Sequence, residues 1–132
     1  MNYVLDTSVL IQIRKGNMSF KDAISKVIDV ESGDVYITLI TFSEYYYGCL
    51  TASKMGQEDC LNFLNAFKHL TLTKAGAILY ARLKHKYKEK GLPVSPLDLL
   101  IAALTIDAGM MLITLDRGFA KIEELKKVFI EV

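Results

Sequence analysis

The stretch Tyr3-Val4-Leu5-Asp6-Thr7-Ser8-Val9-Leu10-Ile11 decides how the rest of the chain is read. Three apolar residues stop at a carboxylate, and a second apolar run starts three residues after it. A short buried strand bounded by Asp-Thr-Ser and followed by a helix start fits that pattern. Asp6 then stands at the carboxyl end of a strand, the edge at which open α/β sheets place their ligands. Three later segments also bring an acid to the end of an apolar run or to a helix start: Ile40-Thr41-Phe42-Ser43-Glu44, Val94-Ser95-Pro96-Leu97-Asp98 and Leu112-Ile113-Thr114-Leu115-Asp116.

Between these points strand-like and helix-like patterns alternate. Ser8 to Lys15 reads as a short helix ended by Gly16-Asn17. Met18, Phe20, Ala23, Ile24, Val27 and Ile28 give residues 18–31 the spacing of an amphipathic helix, and Ser32-Gly33-Asp34 a turn. Val35-Tyr36-Ile37 is a second strand. Helices are expected from Thr41 to about Ala52, interrupted near Gly48, and from Gln57 to Lys68. Leu70-Thr71-Leu72 reads as a third strand, and Lys74 to Lys90 as a long helix broken by Gly91-Leu92-Pro93. Ser95 opens a helix that is apolar nearly all round up to Gly109, so it should be the most buried one. Met110 to Thr114 is a fourth strand and Val128 to Val132 a fifth at an edge. The alternation predicts an α/β fold of three layers, helices on both faces of a central, mainly parallel sheet of four or five strands. Residues 1–132 read as one domain, without linker or repeat.

Composition narrows the function classes. With 132 residues, 52% hydrophobic and 23% charged, the chain has the make-up of a soluble protein with a full core. A net charge of +1 advertises neither a nucleic-acid coat nor a membrane surface. It does not exclude an enzyme that visits nucleic acid. Cys49 and Cys60 are too few for a secreted scaffold and lack metal-ligand spacing, so reduced, cytoplasmic thiols are expected, Cys60 packing in a helix. No membrane span or targeting segment is read.

Each acid has a structural alternative. Asp6 fits an N-cap. Thr41-x-x-Glu44 and Ser95-x-x-Asp98 both fit the capping box, with Pro96 at the first helical position. Asp116 before Arg117-Gly118 fits a turn cap. Convergence of all four would be a different matter. Like charges a few ångströms apart repel, and such clusters persist when a cation compensates them. No His or Cys accompanies them, so the donor set is all oxygen, suited to Mg²⁺ or Mn²⁺ rather than Zn²⁺.

Val4-Leu5-Asp6-Thr7-Ser8, the isolated Glu44, Pro96-Leu97-Asp98-Leu99-Leu100-Ile101-Ala102-Ala103 and Leu112-Ile113-Thr114-Leu115-Asp116-Arg117-Gly118-Phe119 span nearly the whole chain. In order and spacing the chain resembles the PIN-domain ribonucleases, most closely the small VapC-type toxins of prokaryotic toxin–antitoxin pairs. The resemblance implies a metal-dependent endoribonuclease that inhibits translation. Asp6, Glu44, Asp98 and Asp116 would be its catalytic and metal-binding acids, holding one or two Mg²⁺ or Mn²⁺ ions. Thr7, Ser8 and Thr114 would support them. It implies in-line hydrolysis of an RNA phosphodiester that leaves a 5′-phosphate and a 3′-hydroxyl. Position 118 is Gly where many members carry an acid or Asn, and Leu115 stands where a polar residue is common; both departures bear on a second metal.

His69 and His85 lie outside the acid motifs, and His69 reads as structural. The run Arg82 to Lys90 is either a solvated helix face or a device that steers RNA phosphates past the acids, with Arg82, Lys84, Lys86 and Arg117 as RNA-binding residues. Tyr45-Tyr46-Tyr47 should place at least one ring in the core. Together with Phe63, Leu64 and Phe67, these tyrosines either form a helix–helix contact within the chain or border an apolar groove. VapC-like toxins receive a VapB-like antitoxin there and usually form homodimers. Rival classes fit less well. A phospho-receiver domain needs an Asp after strand three, where Leu72-Thr73-Lys74 stands. A haloacid-dehalogenase-like phosphatase needs a second Asp at position 8, which is Ser. An RNA-processing nuclease and an inactive PIN-type RNA- or protein-binding module remain alternatives.

Overall fold

A computed structural model describes residues 1–16, 22, 25 and 34–130. The elements are β1 (Tyr3–Leu5), α1 (Thr7–Arg14), β2 (Val35–Thr38), α2 (Leu39–Cys49), α3 (Lys54–Asn65), β3 (Lys68–Leu70), α4 (Lys74–Glu89), α5 (Pro96–Asp107), β4 (Met111–Thr114), a 3₁₀ turn (Arg117–Lys121) and β5 (Lys127–Phe129). The helix expected over 18–31 lies outside the described residues save for Asp22 and Ser25, and so do Ser32, Gly33 and the last two residues.

The five strands among the described residues are all parallel, in the order β3-β2-β1-β4-β5. β1 is central, with Val4 opposite Tyr36 on one side and Leu112 on the other. Strand alternation then divides the core. Tyr3, Leu5, Ile37 and Ile113 face a cluster completed by α1, α2 and α3. Val4 and Leu112 face the other, filled by Leu83 and Tyr87 of α4, the α5 side chains, and Phe119 and Ile122. As its all-round apolar sequence demands, α5 is deeply buried, from Leu99 through Ile101–Thr105. The chain runs outward from β1 through β2 to β3, then crosses to β4 and β5. The reversal puts the topological switch point between β1 and β4, at the carboxyl edge.

Several boundaries differ from those read in the sequence. α2 begins at Leu39, because Thr38 rather than Thr41 is the cap: the Thr41 amide donates to Thr38 Oγ1 (3.0 Å). It runs through Gly48 without interruption. α3 starts at Lys54 and ends at Asn65, three residues early at each end, because Ser53 caps it and Lys68-His69-Leu70 leaves to pair with β2. Cys49 and Cys60, expected as free thiols, form a disulfide. The last turn of α2 and the inner face of α3 pack together with their Cα atoms 6.7 Å apart, within disulfide reach. Phe63 packs its ring against Tyr45 and against Phe67, so these aromatics make the expected contact within the chain. They also line surface recesses: Tyr45 one beside α1, Phe63 and Phe67 another beside Asp34 and Val35. His69 bonds the Leu64 carbonyl and meets the Phe42 ring edge-on.

Candidate active site

Asp6 leaves the end of β1 almost fully buried. Ser8 Oγ donates to its Oδ1 (2.6 Å) and Thr114 Oγ1 to its Oδ2 (2.7 Å), while the Val9 amide reaches Oδ1 at 3.4 Å. Each hydroxyl is itself fixed from the end of β4: the Leu115 amide donates to Ser8 Oγ (3.1 Å) and the Asp116 amide to Thr114 Oγ1 (2.9 Å). Two amide-to-hydroxyl-to-carboxylate relays therefore stitch β4 to β1 through Asp6. Every partner donates, which favours the ionised carboxylate. Burial pushes the Asp6 carboxyl up, the Ser8, Thr114 and Val9 bonds pull it down, and the Asp116 charge adds to the rise; burial prevails.

Asp116 caps the 3₁₀ turn, accepting from the Gly118 amide at 2.8 Å. A Cβ at position 118 would lie 3.1 Å from Asp116 Oδ1 and 3.4 Å from Asp98 Oδ2. Gly118 thus leaves room where two carboxylates approach. Asp98 sits in the first turn of α5, a favourable place for a carboxylate. Ser95 makes no side-chain cap bond there, so the reciprocal capping box is not formed. The Asp98 carboxyl is pushed up to about 6, by burial first and then by the charges of Asp116, Asp6 and Glu44. Glu44, inside α2 rather than at its start, accepts from Thr7 Oγ1 at 3.0 Å.

The four acids thus share one electrostatic site at the carboxyl edge of the sheet, where Ser8 and Thr114 hold Asp6 and Thr7 holds Glu44. Among the described residues none of the four makes an ion pair. Nor do any three acidic, His or Cys side chains there already form a metal cage. Asp98 accepts no hydrogen bond among the described residues and Asp116 accepts only the Gly118 amide. These two carboxylates therefore have the most lone pairs open to a cation, while Asp6 and Glu44 keep further lone pairs of their own. Mg²⁺ fits that donor set, since it commonly takes one or two carboxylates and keeps several waters.

The expected RNA-binding residues are dispersed. Arg82 and Lys84 are exposed on α4, Lys84 lying over the Tyr80 ring. Lys86 is committed to Glu123 (2.6 Å) and Glu124 (2.8 Å). Arg117, next to Asp116, is held 4.4 Å above the Phe129 ring. A groove of about 290 Å³ runs between α1 and α2, lined by Ile11, Arg14, Glu44 and Tyr45 among others. An apolar groove at Tyr45-Tyr46-Tyr47 is one of the two sequence expectations, but with Phe63, Leu64 and Phe67 beside it. The fold instead supplies α1 as the facing wall, a pairing local spacing does not carry.

The PIN domain family model matches residues 3–125. The chain belongs to the PIN domain family. It is 38% identical over 104 residues to ribonuclease VapC3 of Methanocaldococcus jannaschii, covering 79% of this chain and 98% of that protein. It is 28% identical over 132 residues to ribonuclease VapC1 of Rickettsia felis, covering 96% and 94%. Among solved structures, VapBC2 of Rickettsia felis, bound to a DNA fragment from its promoter, superposes with a TM-score of 0.85 at 21% identity, over 99% of this chain and 100% of the other. That likeness shows the fold: the same three-layer architecture around a parallel sheet. No helix among the described residues is long and apolar enough to cross a membrane.

Proposed function

We propose that this PIN-domain protein is a divalent-metal-dependent endoribonuclease, the toxin of a VapBC-type pair, acting as a single domain in the cytoplasm. The observation that carries the reading is the charge imbalance at the sheet edge, where the other three acids help lift Asp98 and no ion pair among the described residues relieves them. A polyanionic substrate approaches such a cluster only when a cation stands between them. Asp98 and Asp116 would hold the ion directly, with Asp6 and Glu44 adding charge and orienting its waters. When bound, Mg²⁺ or Mn²⁺ would supply a water of lowered pKa and neutralise the leaving oxygen.

The residues around the site do the rest. Ser8 and Thr114 hold the Asp6 carboxyl in place by donating to its two oxygens, and Thr7 sets the Glu44 carboxylate. Arg117, stiffened by Phe129, stands beside Asp116 as a contact for RNA phosphate, with Arg82 and Lys84 contributing longer-range attraction. The names of the relatives support RNA as the substrate and an antitoxin as partner. The α1–α2 groove, which reaches Glu44, is where an antitoxin segment would act on the site. A homodimer agrees with the resemblance.

Cleavage of an end-labelled structured RNA tests the reading, with Mg²⁺, with Mn²⁺ and with chelator, beside Asp98→Asn. Metal-dependent cuts bearing 5′-phosphates, lost in the folded variant, are expected. Cleavage that persists in chelator, or products with 2′,3′-cyclic ends, would overturn it.

A further inference from the structure

A second cleft opens beside the acids, about 790 Å³ in volume, and does not coincide with the α1–α2 groove. Thr7 and Glu44, the hydrogen-bonded pair of the acid site, form part of its lining, with Leu39 and Tyr47 of α2 and Leu97 of α5. Its size is that of clefts that hold one small group. The apolar members are unusually bare: Tyr47 is 77% exposed, Leu97 47% and Leu39 44%. Of the three consecutive tyrosines, Tyr45 is buried and carries Arg14 on its hydroxyl and over its ring. Tyr47 makes no hydrogen bond or ring contact among the described residues. Three positions after Glu44 on the same helix, it shares that residue's side of α2. Leu97 is turned by about 100° from Asp98, so the first turn of α5 shows one side to the acids and another to the cleft.

We propose that Tyr47, with Leu39 and Leu97, forms a stacking slot for an unpaired nucleobase adjacent to the phosphodiester held at the acid site. A base enters the slot only when it is out of a duplex. This deepens the ribonuclease reading and rests on it. Beside a cluster of acids, parts of the nucleotide that carry no charge can add affinity without meeting their repulsion. Base faces are such parts, and aromatic side chains hold them with little regard to sequence. Any occupant of the cleft also covers Glu44. An apolar side chain there would desolvate the carboxylate without a donor. A nucleotide brings ribose hydroxyls and base N–H groups that can donate to it.

The test is steady-state cleavage of a short single-stranded RNA with one cut site, by wild type, Tyr47→Phe and Tyr47→Ala. The same RNA with an abasic residue on either side of the cut runs beside it. We expect Tyr47→Phe to stay within about twofold of wild type. Tyr47→Ala should raise KM about 5- to 100-fold, with kcat within a few-fold. One abasic RNA should bind wild type as weakly as the intact RNA binds Tyr47→Ala, and the substitution should then cost nothing more. Fluorescence anisotropy of labelled RNA on the Asp98→Asn background should give the same order without turnover. An unchanged KM and Kd for a folded Tyr47→Ala overturns the slot. So does a Tyr47→Ala that only splits a dimer or loses a protein partner, since the face then belongs to a protein. If wild type cuts no RNA while anisotropy still records the Tyr47 loss, the nuclease reading fails and the slot stands.

Discussion

At the far end of α4 Lys86 donates to Glu123 and Glu124, Lys90 adds a second contact to Glu123, and the Tyr87 hydroxyl donates to Glu124. At the carboxyl edge of the sheet Asp6, Glu44, Asp98 and Asp116 share a site with no cation of their own among the described residues. The two clusters respond to their surroundings in opposite senses. Hydrogen bonds from Lys86 and Lys90 hold Glu123 below its ordinary range, and its partner Lys86 is raised. Asp98 is raised instead, by burial and by its neighbours. Charge that ties elements together is balanced within the chain. Charge left unbalanced, with Asp6 and Glu44 held in place by dedicated hydroxyls, is suited to a cation from outside the chain.

The largest effect should come from breaking the unbalanced cluster. Asp98→Asn and Asp6→Asn should each lower kcat/KM on RNA about 10²- to 10³-fold or more, read from initial cleavage rates. Next come the relays. Ser8→Ala or Thr114→Val frees one Asp6 oxygen and strands a β4 amide, so activity should fall about 10- to 100-fold and stability by about 1–2 kcal/mol, measured by urea unfolding.

A smaller effect sharpens the contrast because it has the opposite sign. The Asp98 carboxyl rises from its ordinary 3.8 to about 6, so the folded chain binds this proton more tightly than the unfolded one. Stability from it is full below about pH 4 and is lost as pH rises through about 6. In chelator at pH 7, Asp98→Asn should therefore be more stable than wild type. Two pH units set a ceiling of about 3 kcal/mol, and solvent screening at this half-buried group brings it to about 1 kcal/mol. The gap should close as pH falls to about 4. The smallest change belongs to the balanced cluster. Glu123→Gln leaves Lys86 its Glu124 partner, so Tm should drop slightly at low salt and not at all in high salt.

The fold was largely legible because its decisive elements are apolar. β1, β4 and α5 are short or all-round hydrophobic runs whose ends are marked by Asp6, Thr114 and Pro96. The region from Thr38 to Leu70 was harder to read. Two threonines compete to cap α2, and the one that wins lies within an apparent strand. β3 is an edge strand reading Lys-His-Leu, without the apolar run that identifies its neighbours. The four acids were visible as a pattern, but their capping alternatives were not separable in sequence. Hydrogen bonds separate them: Asp116 does cap a turn, Asp6 caps weakly at 3.4 Å, and neither Glu44 nor Asp98 completes its box. The Cys49–Cys60 link and the two clefts depend on which helices pack side by side, which local spacing does not carry.

Thermal unfolding of wild type and Asp98→Asn, in chelator and in millimolar Mg²⁺ at pH 7, tests most directly whether the acid cluster is built for a cation. We expect Mg²⁺ to raise the wild-type Tm and to leave Asp98→Asn nearly unmoved, with the variant the more stable of the two in chelator. A wild-type Tm indifferent to Mg²⁺ and Mn²⁺, together with an Asp98→Asn that is no more stable in chelator, would contradict it.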